Sequence, residues 1–208
     1  KDALPPEFRP LLKRFKPNHG LAEEALTMQP DLVVTGTFSS QFTTTLLRRL
    51  GRNVVEFAPD NSFDEMYASI VRMGDAVGEP ERAEKLIANF KSRLTSLQAQ
   101  IPPGEMPVYA DIDVNFWMPG KDTLYAQVVN AGGFRTAGEV VGYSGYQPIP
   151  LEQLIRIEPE VVSTTTTYEN PPAMATQNLR HPLLRRMAAD AKATLNIPGR
   201  YVVCATPE

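Results

Sequence analysis

Two similar stretches decide the fold: Leu21–Thr35, which reads LAEEALTMQPDLVVT, and Pro150–Thr164, which reads PLEQLIRIEPEVVST, at an offset of 129 residues. In each stretch a predicted helix ends at a proline, an acidic residue follows, and a short β-branched strand begins. Glu23 and Glu152 stand at matching places, seven residues before the proline. Any helix–proline–strand junction of an α/β protein resembles this pattern. Its recurrence on both sides of one long helix favours two related lobes.

The segment between the two stretches contains that long predicted helix. Residues 80–101 have no internal glycine or proline, and their apolar side chains recur at spacings of three and four residues. At a rise of 1.5 Å per residue such a helix would be about 33 Å long, which is long for a crossover inside one small sheet. We therefore predict an α/β fold in which two related lobes with parallel sheets are joined by one long rigid helix. Residues 1–78 would form the N-terminal lobe, residues 79–101 the inter-lobe helix and residues 102–208 the C-terminal lobe.

Shorter elements are predicted from apolar patterning and from glycine and proline punctuation. Strands are predicted over residues 31–35, 53–57, 108–113, 161–165 and 201–205. Helices are predicted over residues 21–29, 43–50, 62–77, 123–131, 151–157 and 181–193, and residues 1–20 as a loop or short helix. Because strands alternate with helices, parallel sheets with right-handed crossovers are expected.

Composition excludes several classes of protein. Apolar residues make up 42% of the chain and charged residues 22%, which is ordinary for a folded protein and unlike a disordered or collagen-like one. The net charge of −3, with scattered basic residues, argues against a nucleic-acid partner. A single cysteine, Cys204, cannot form a disulfide within the chain or a cysteine-rich cluster site.

Motifs for catalysis are not found. Residues 142–145 (GYSG) lack one residue of the nucleophile elbow, and neither a P-loop nor a dinucleotide fingerprint is present. His19 and His181 are the only histidines, and His181, placed before a proline, is predicted to start a helix. We therefore expect a binding protein with no catalytic step and no resident cofactor. An α/β enzyme is the alternative from a different class.

Aromatic residues concentrate in loops that follow predicted strands. In an open α/β lobe, ligands bind beyond the carboxyl ends of the strands, where residues 36–40, 115–119, 143–147 and 166–170 are predicted to lie as loops. The candidate ligand-binding residues in these loops are Phe38, Ser39, Phe116, Trp117, Tyr143, Tyr146 and Tyr168. Such aromatic side chains suit a large, flat, partly apolar ligand. Phe38 and Phe116 could equally fill a lobe core or the lobe interface. For Trp117, Tyr143 and Tyr146 the surrounding Gly, Ser and Pro imply exposed backbone and favour a place at the ligand site.

In their order along the chain, several segments resemble the class III periplasmic substrate-binding proteins of ABC importers, the cobalamin, iron–siderophore and haem group. The matching segments are EEALTMQPDLVV, NVVEF, GEPERAEKLI, PGKDTLYAQVVNAGG, PLEQLIRIEPEVV, and HPLLRRM with GRYVV. The resemblance covers nearly the whole chain from about Leu21. It implies two α/β lobes bridged by one long helix, with the ligand in a cleft between them. It also implies capture of a ferric siderophore or cobalamin-type metal chelate and delivery to an ABC permease dimer, by a monomer in the periplasm or lipid-anchored on the cell surface.

The resemblance also suggests a docking role for the two repeated glutamates. In the family, the glutamates at the positions of Glu23 and Glu152 lie on the outer tips of the lobes and dock into arginine pockets of the permease. Taken singly, each is better explained as a helix-start acid stabilised by the helix dipole. Their matching spacing and the resemblance together favour docking. The family's first strand and loop would precede Lys1 and its last helix would follow Glu208, so we expect the parent chain to supply both.

Two further ligands within the superfamily stay open. Haem could be held by tyrosine ligation through Tyr143, Tyr146 or Tyr168. The Zn/Mn-binding type holds a bare ion with three histidines and a carboxylate, and the two histidines of this chain argue against it.

Overall fold

The computed structural model describes residues 9–12, 14–112, 116–163 and 181–197. The chain divides into two compact units, and the division falls between Asn89 and Phe90. Because this position lies inside the long helix, the predicted lobe boundaries at residues 78 and 101 stay a prediction. Across the described ranges, no helix combines the length and the apolar character needed to cross a bilayer.

The unit that ends at Asn89 is built around two parallel strands. Its elements are α1 (Arg9–Leu12), α2 (Ala22–Thr27), β1 (Val33–Gly36), α3 (Gln41–Arg49), β2 (Val54–Phe57), α4 (Phe63–Val77) and the start of α5 (Pro80–Gln98). Val33 pairs with Val54 and Gly36 with Phe57, so the predicted parallel strand–helix–strand arrangement is confirmed. The Ser62 side chain caps α4 by accepting from the Glu65 N–H, and Gly78, at φ 74°, ends that helix.

The unit that begins at Phe90 holds a larger parallel sheet. After the rest of α5 come β3 (Val108–Asp111), β4 (Trp117–Pro119), α6 (Leu124–Ala131), β5 (Arg135–Thr136), α7 (Ala137–Val140), β6 (Tyr146–Pro148), α8 (Leu151–Ile157), β7 (Val161–Ser163), α9 (Pro182–Asp190) and β8 (Ala193–Leu195). Four strands form one sheet in the order β5-β3-β7-β8, and each neighbouring pair is parallel. Strands β4 and β6 form a separate antiparallel ribbon.

One apolar core lies under this sheet. Ala110 on β3, Val162 on β7 and Leu154 on α8 are fully buried. They belong to a cluster of buried residues that also includes Ile112, Met118, Ala137, Ile149, Leu184 and Met187. Burying a Leu or Val side chain contributes roughly 1.5–3 kcal/mol, so this cluster is the main source of stability for the frame that carries the loops.

The sequence repeat is also a structural repeat. In each copy a helix, α2 or α8, is followed by a residue in the left-handed region: Gln29 has φ 50° and Glu158 has φ 51°. The N–H of Gln29 donates to Leu26 O at 3.1 Å, and the N–H of Glu158 donates to Ile155 O at 3.2 Å. The same backbone turn therefore precedes β1 and β7, which confirms that the two stretches are equivalent junctions.

Several predicted boundaries are wrong. Helix α5 ends at Gln98 instead of residue 101, because the Ile101 N–H donates to Gln98 O in a tight turn. Strand β4 lies within the predicted loop at 115–119, and β6 begins within the predicted loop at 143–147 and ends at Pro148. The helix predicted over 181–193 ends at Asp190, and β8 begins at Ala193, where the chain pairs with β7 and the Lys192 ammonium meets Glu160. The predicted strand at 201–205 lies outside the described residues.

Candidate functional site

Two of the predicted aromatic residues share one face of the β4–β6 ribbon. Trp117 pairs with Pro148, Met118 with Gln147 and Pro119 with Tyr146. Because successive side chains of a strand point to opposite faces, Trp117 and Tyr146 lie on the same side as diagonal neighbours, and Met118 lies on the other. Met118 is 1% exposed and belongs to the core, whereas Trp117 and Tyr146 are 45% and 52% exposed. We call Trp117 and Tyr146 the aromatic face.

Close backbone packing holds the ribbon in place. The Gly120 N–H donates to Gly145 O at 2.8 Å, and the Lys121 N–H donates to Tyr143 O at 2.7 Å. A Cβ at Gly120 would lie 2.3 Å from Tyr143 O, so only glycine permits this approach. The segment after β4 is thereby fixed against the segment before β6, and the aromatic face is preorganised.

Phe116 and Tyr143 occupy a different environment from the aromatic face. Both are partly buried and pack against the core cluster. The Tyr143 hydroxyl donates to Gln153 Oε1 at 3.4 Å, and Phe116 O accepts from the Ile149 N–H at 2.9 Å. Phe116 has φ 56°, a left-handed conformation that turns the chain into β4. Both rings therefore contribute to the packing of the core, and ligand contact by either one stays a prediction.

Phe38 stands at the tip of a rigid loop in the other unit. Its side chain is 90% exposed. The Ser39 hydroxyl accepts from the Gly36 N–H at 3.1 Å, and the Gln41 amide donates to Thr37 O at 3.0 Å. Ser39 therefore shapes the loop, and its hydroxyl is already engaged there. Phe42, in the first turn of α3, is 75% exposed and was missed from the sequence, although an aromatic four residues after Phe38 on a helix start was a usable signal.

The pKa directions of Glu56 and Tyr146 and the partners of the two histidines describe the electrostatics around these loops. Hydrogen bonds from Gln41 and then from Arg48 hold the pKa of Glu56 below its ordinary value. Burial raises the pKa of Tyr146, so that phenol stays protonated at neutral pH. In the described part of the chain, no three His, Cys, Asp or Glu side chains gather as metal ligands would. His19 pairs with Glu24 at 2.8 Å, and His181 caps α9 as predicted by accepting from the Leu183 N–H.

Glu23 and Glu152 occupy equivalent positions in the two repeated junctions. Each is the second residue of its helix, α2 or α8, and each is exposed. Neither carboxylate forms a hydrogen bond or an ion pair within the described residues. The last predicted ligand residue, Tyr168, lies outside the described residues.

Comparison with known proteins identifies the family. Residues 17–194 match the family model described as "Periplasmic binding protein". The chain is 25% identical over 173 residues to the ABC transporter substrate-binding lipoprotein YvrC of Bacillus subtilis (strain 168), covering 79% of this chain and 54% of the relative. It is 23% identical over 170 residues to a cobalamin-binding protein of Halobacterium salinarum, covering 80% of this chain and 46% of that protein. The chain thus spans about half the length of the curated relatives it matches.

Solved structures agree on the fold. A possible iron-binding (periplasmic solute-binding) protein from Staphylococcus epidermidis ATCC 12228 superimposes with a TM-score of 0.71 at 16% sequence identity. The match covers 90% of this chain and 74% of that protein. At this identity the likeness concerns the fold alone, and it confirms the predicted α/β class.

Proposed function

The chain belongs to the periplasmic binding protein family, and on that premise we propose that it is the substrate-binding component of an ABC importer. It captures a ferric siderophore or a cobalamin-type metal chelate and delivers it to a membrane permease. It acts by binding and release, without a catalytic step. Its place of action would be the periplasm, or the cell surface if it carries a lipid anchor, and it would work as a monomer.

The observation that carries the ligand proposal is the aromatic face. Trp117 and Tyr146 lie side by side, half exposed, on a ribbon held by backbone hydrogen bonds. Aromatic side chains bury a large area with little loss of rotamer freedom, and a prefixed ribbon reduces the ordering cost of binding. A corrinoid ring or the hydrophobic shell of a ferric chelate offers a surface of matching chemistry. Phe38 is a further candidate contact because its loop is fixed and its ring is 90% exposed.

Haem is the alternative ligand, and the Tyr143 and Tyr146 hydroxyls are candidate ligands of its iron. Tyrosine is a known axial ligand of haem iron. The Tyr143 hydroxyl is engaged with Gln153, whereas Tyr146 is half exposed on the aromatic face. Burial raises the pKa of Tyr146, so iron would have to displace its proton on binding. This cost favours stacking of Tyr146 on a ligand over ligation by it.

The second half of the proposal is docking through Glu23 and Glu152. Both carboxylates are exposed, occupy the same position in a repeated junction and form no ion pair within the described residues. An acid on each of two related lobes would suit a permease with two-fold symmetry and basic pockets. Charge pairs between two proteins speed their association and fix the orientation in which they dock.

A ligand titration tests the binding proposal directly. Trp117 is the single tryptophan of this chain, so its fluorescence reports on the aromatic face alone. Ferrichrome, cyanocobalamin and haemin would each be titrated into the protein, and one of them should quench Trp117 saturably. Trp117→Phe serves as the binding control, followed by calorimetry, and should retain more affinity than Trp117→Ala. If Trp117→Ala binds every ligand as tightly as wild type, Trp117 does not contact the ligand.

A further inference from the structure

Four polar side chains form a ring of close contacts that local sequence patterns do not indicate. The ring joins Tyr109 and Asp111 on β3, Ser163 at the end of β7 and Tyr125 in the first turn of α6. The Tyr109 and Ser163 hydroxyl oxygens are 2.6 Å apart, and those of Tyr109 and Tyr125 are 3.2 Å apart. Ser163 donates to Asp111 Oδ1 at 2.7 Å, and Tyr125 donates to Asp111 Oδ2 at 2.8 Å. Tyr109 is 5% exposed and Ser163 is fully buried, so the hydroxyls of these two residues find hydrogen-bond partners inside the ring.

The number of hydroxyl protons in the ring shows which of its four contacts are hydrogen bonds. Burial raises the pKa of both Tyr109 and Tyr125, and the charge of Asp111 raises them further, so both phenols stay protonated. Three hydroxyl protons then serve four contacts. Ser163 and Tyr125 give theirs to the carboxylate, which leaves one proton, from Tyr109, for two contacts. The 2.6 Å contact with Ser163 takes it, and the 3.2 Å contact with Tyr125 is the one without a proton.

Asp111 and Tyr125, which are hydrogen-bonded to each other, lie on either side of Trp117 in the chain. This bond joins residues 14 apart in sequence, and Trp117 and the whole of β4 lie between these two residues along the chain. Fixing both ends of a segment removes conformations that a free loop would sample. Ser163 holds the other carboxylate oxygen, so Asp111 is fixed to β7 as well as to α6.

We propose that Asp111, Tyr125 and Ser163 form a clasp that positions the aromatic face. They act as positioning residues, because they fix the base of the segment that presents Trp117 and do not form part of the aromatic face. The ribbon's own bonds set the pairing of β4 with β6, and Met118 anchors the ribbon in the core. The clasp adds a second constraint on where the ribbon lies relative to the parallel sheet. The effect on ligand affinity rests on the proposed function. The effect on Trp117 in the free chain does not.

Two tyrosine variants separate the clasp from a general loss of buried hydroxyls. Tyr125→Phe removes the donor to Asp111 Oδ2 and with it this hydrogen bond between α6 and β3. Tyr109→Phe also removes a hydroxyl from the ring, but both donors to Asp111 remain, which makes it the matched control. Asp111→Asn is the conservative rescue: its oxygen still accepts from Ser163, and its amide N–H supplies a fourth proton toward Tyr125.

The first experiment measures the free chain. The emission maximum and acrylamide quenching of Trp117 are recorded for wild type and the three variants, with far-UV circular dichroism to verify folding. We expect faster quenching and shifted emission in Tyr125→Phe, and wild-type behaviour in Tyr109→Phe and Asp111→Asn. The clasp is refuted if Tyr125→Phe matches wild type, or if Tyr109→Phe changes Trp117 as much. Should Tyr125→Phe fail to fold, a folded Asp111→Asn with altered quenching also refutes it.

The second experiment adds ligand. With whichever of ferrichrome, cyanocobalamin or haemin binds wild type, Tyr125→Phe should raise Kd about tenfold, equivalent to about 1.4 kcal/mol, and Tyr109→Phe should leave it unchanged. An unchanged Kd in Tyr125→Phe overturns the role in binding. If none of the three binds wild type, the ligand class proposed above fails, while the clasp is still judged by the quenching of free Trp117.

Discussion

Gly120→Ala should displace the aromatic face and lower stability together. The added Cβ would lie 2.3 Å from Tyr143 O, and real Cβ contacts essentially never fall below 3.0 Å, so the two segments must separate by at least about 0.7 Å. That movement strains the bonds from Gly120 to Gly145 O and from Lys121 to Tyr143 O. Overpacking of this kind costs about 1–3 kcal/mol, which corresponds to a fall in Tm of about 2–12 °C.

The assay is thermal unfolding followed by circular dichroism, with Trp117 emission recorded on the same samples. Gly36→Ala is the matched control, because its Cβ would meet Ser39 Oγ at 3.6 Å and Phe57 O at 3.7 Å, both ordinary contacts. We expect its Tm to stay close to that of wild type. The reasoning is refuted if Gly120→Ala unfolds at the wild-type temperature with unchanged Trp117 emission, since the packing against Tyr143 would then not be tight.

Two further predictions concern charged side chains. The double variant Glu23→Ala, Glu152→Ala should leave Tm and ligand Kd nearly unchanged, because exposed acids add little to folding. It should weaken binding to the reconstituted transporter, because losing one partner of a docked charge pair costs roughly 2–5 kcal/mol. Glu84→Ala, at an exposed glutamate of α5, is the control, and normal docking of the double variant would contradict the proposal. Hydrogen bonds from Lys192 and from the Val108 N–H lower the pKa of Glu160, so its contribution to stability is present above the ordinary value of 4.5 and is lost as the pH falls through the lowered value. Tm measured from pH 7 to pH 3 should therefore show the advantage of wild type over Glu160→Gln shrinking in acid, and a constant difference would contradict the assignment.

Local signals were sufficient to predict most helices and the repeated junction. Helix α4 begins after Ser62 and ends at Gly78, as the capping preferences of these residues predict. Helix α8 spans the residues over which a helix was predicted. The β4–β6 ribbon was missed because each strand has three residues and contains a proline, so neither has an alternating pattern of its own. The close approach of the backbone at Gly120 to Tyr143, beside the ribbon, is a tertiary contact that local patterns do not show.

Side-chain placement was predicted less well than secondary structure. Trp117 and Tyr146 are half exposed, which is compatible with the ligand contact predicted for them, and that contact stays a prediction. The same Gly, Ser and Pro signal at Tyr143 did not reveal that its ring packs against the core. The Asp111–Ser163 bond spans 52 residues, so nothing in local sequence could indicate it. Such contacts depend on the register of β3 with β7, and short buried strands do not specify register by pattern alone.

The strand order of the larger sheet has a consequence for how the protein folds. β3 sits between β5 and β7, and the bond from Val108 to Glu160 bridges 52 residues of chain. β1 and β2, in contrast, are joined directly through the single helix α3. Pairing between distant strands must first overcome the entropy of closing a long loop, which slows it relative to local pairing. The β1–β2 unit should therefore acquire protection from hydrogen exchange early, and Trp117 should reach its native environment only after β7 has docked beside β3.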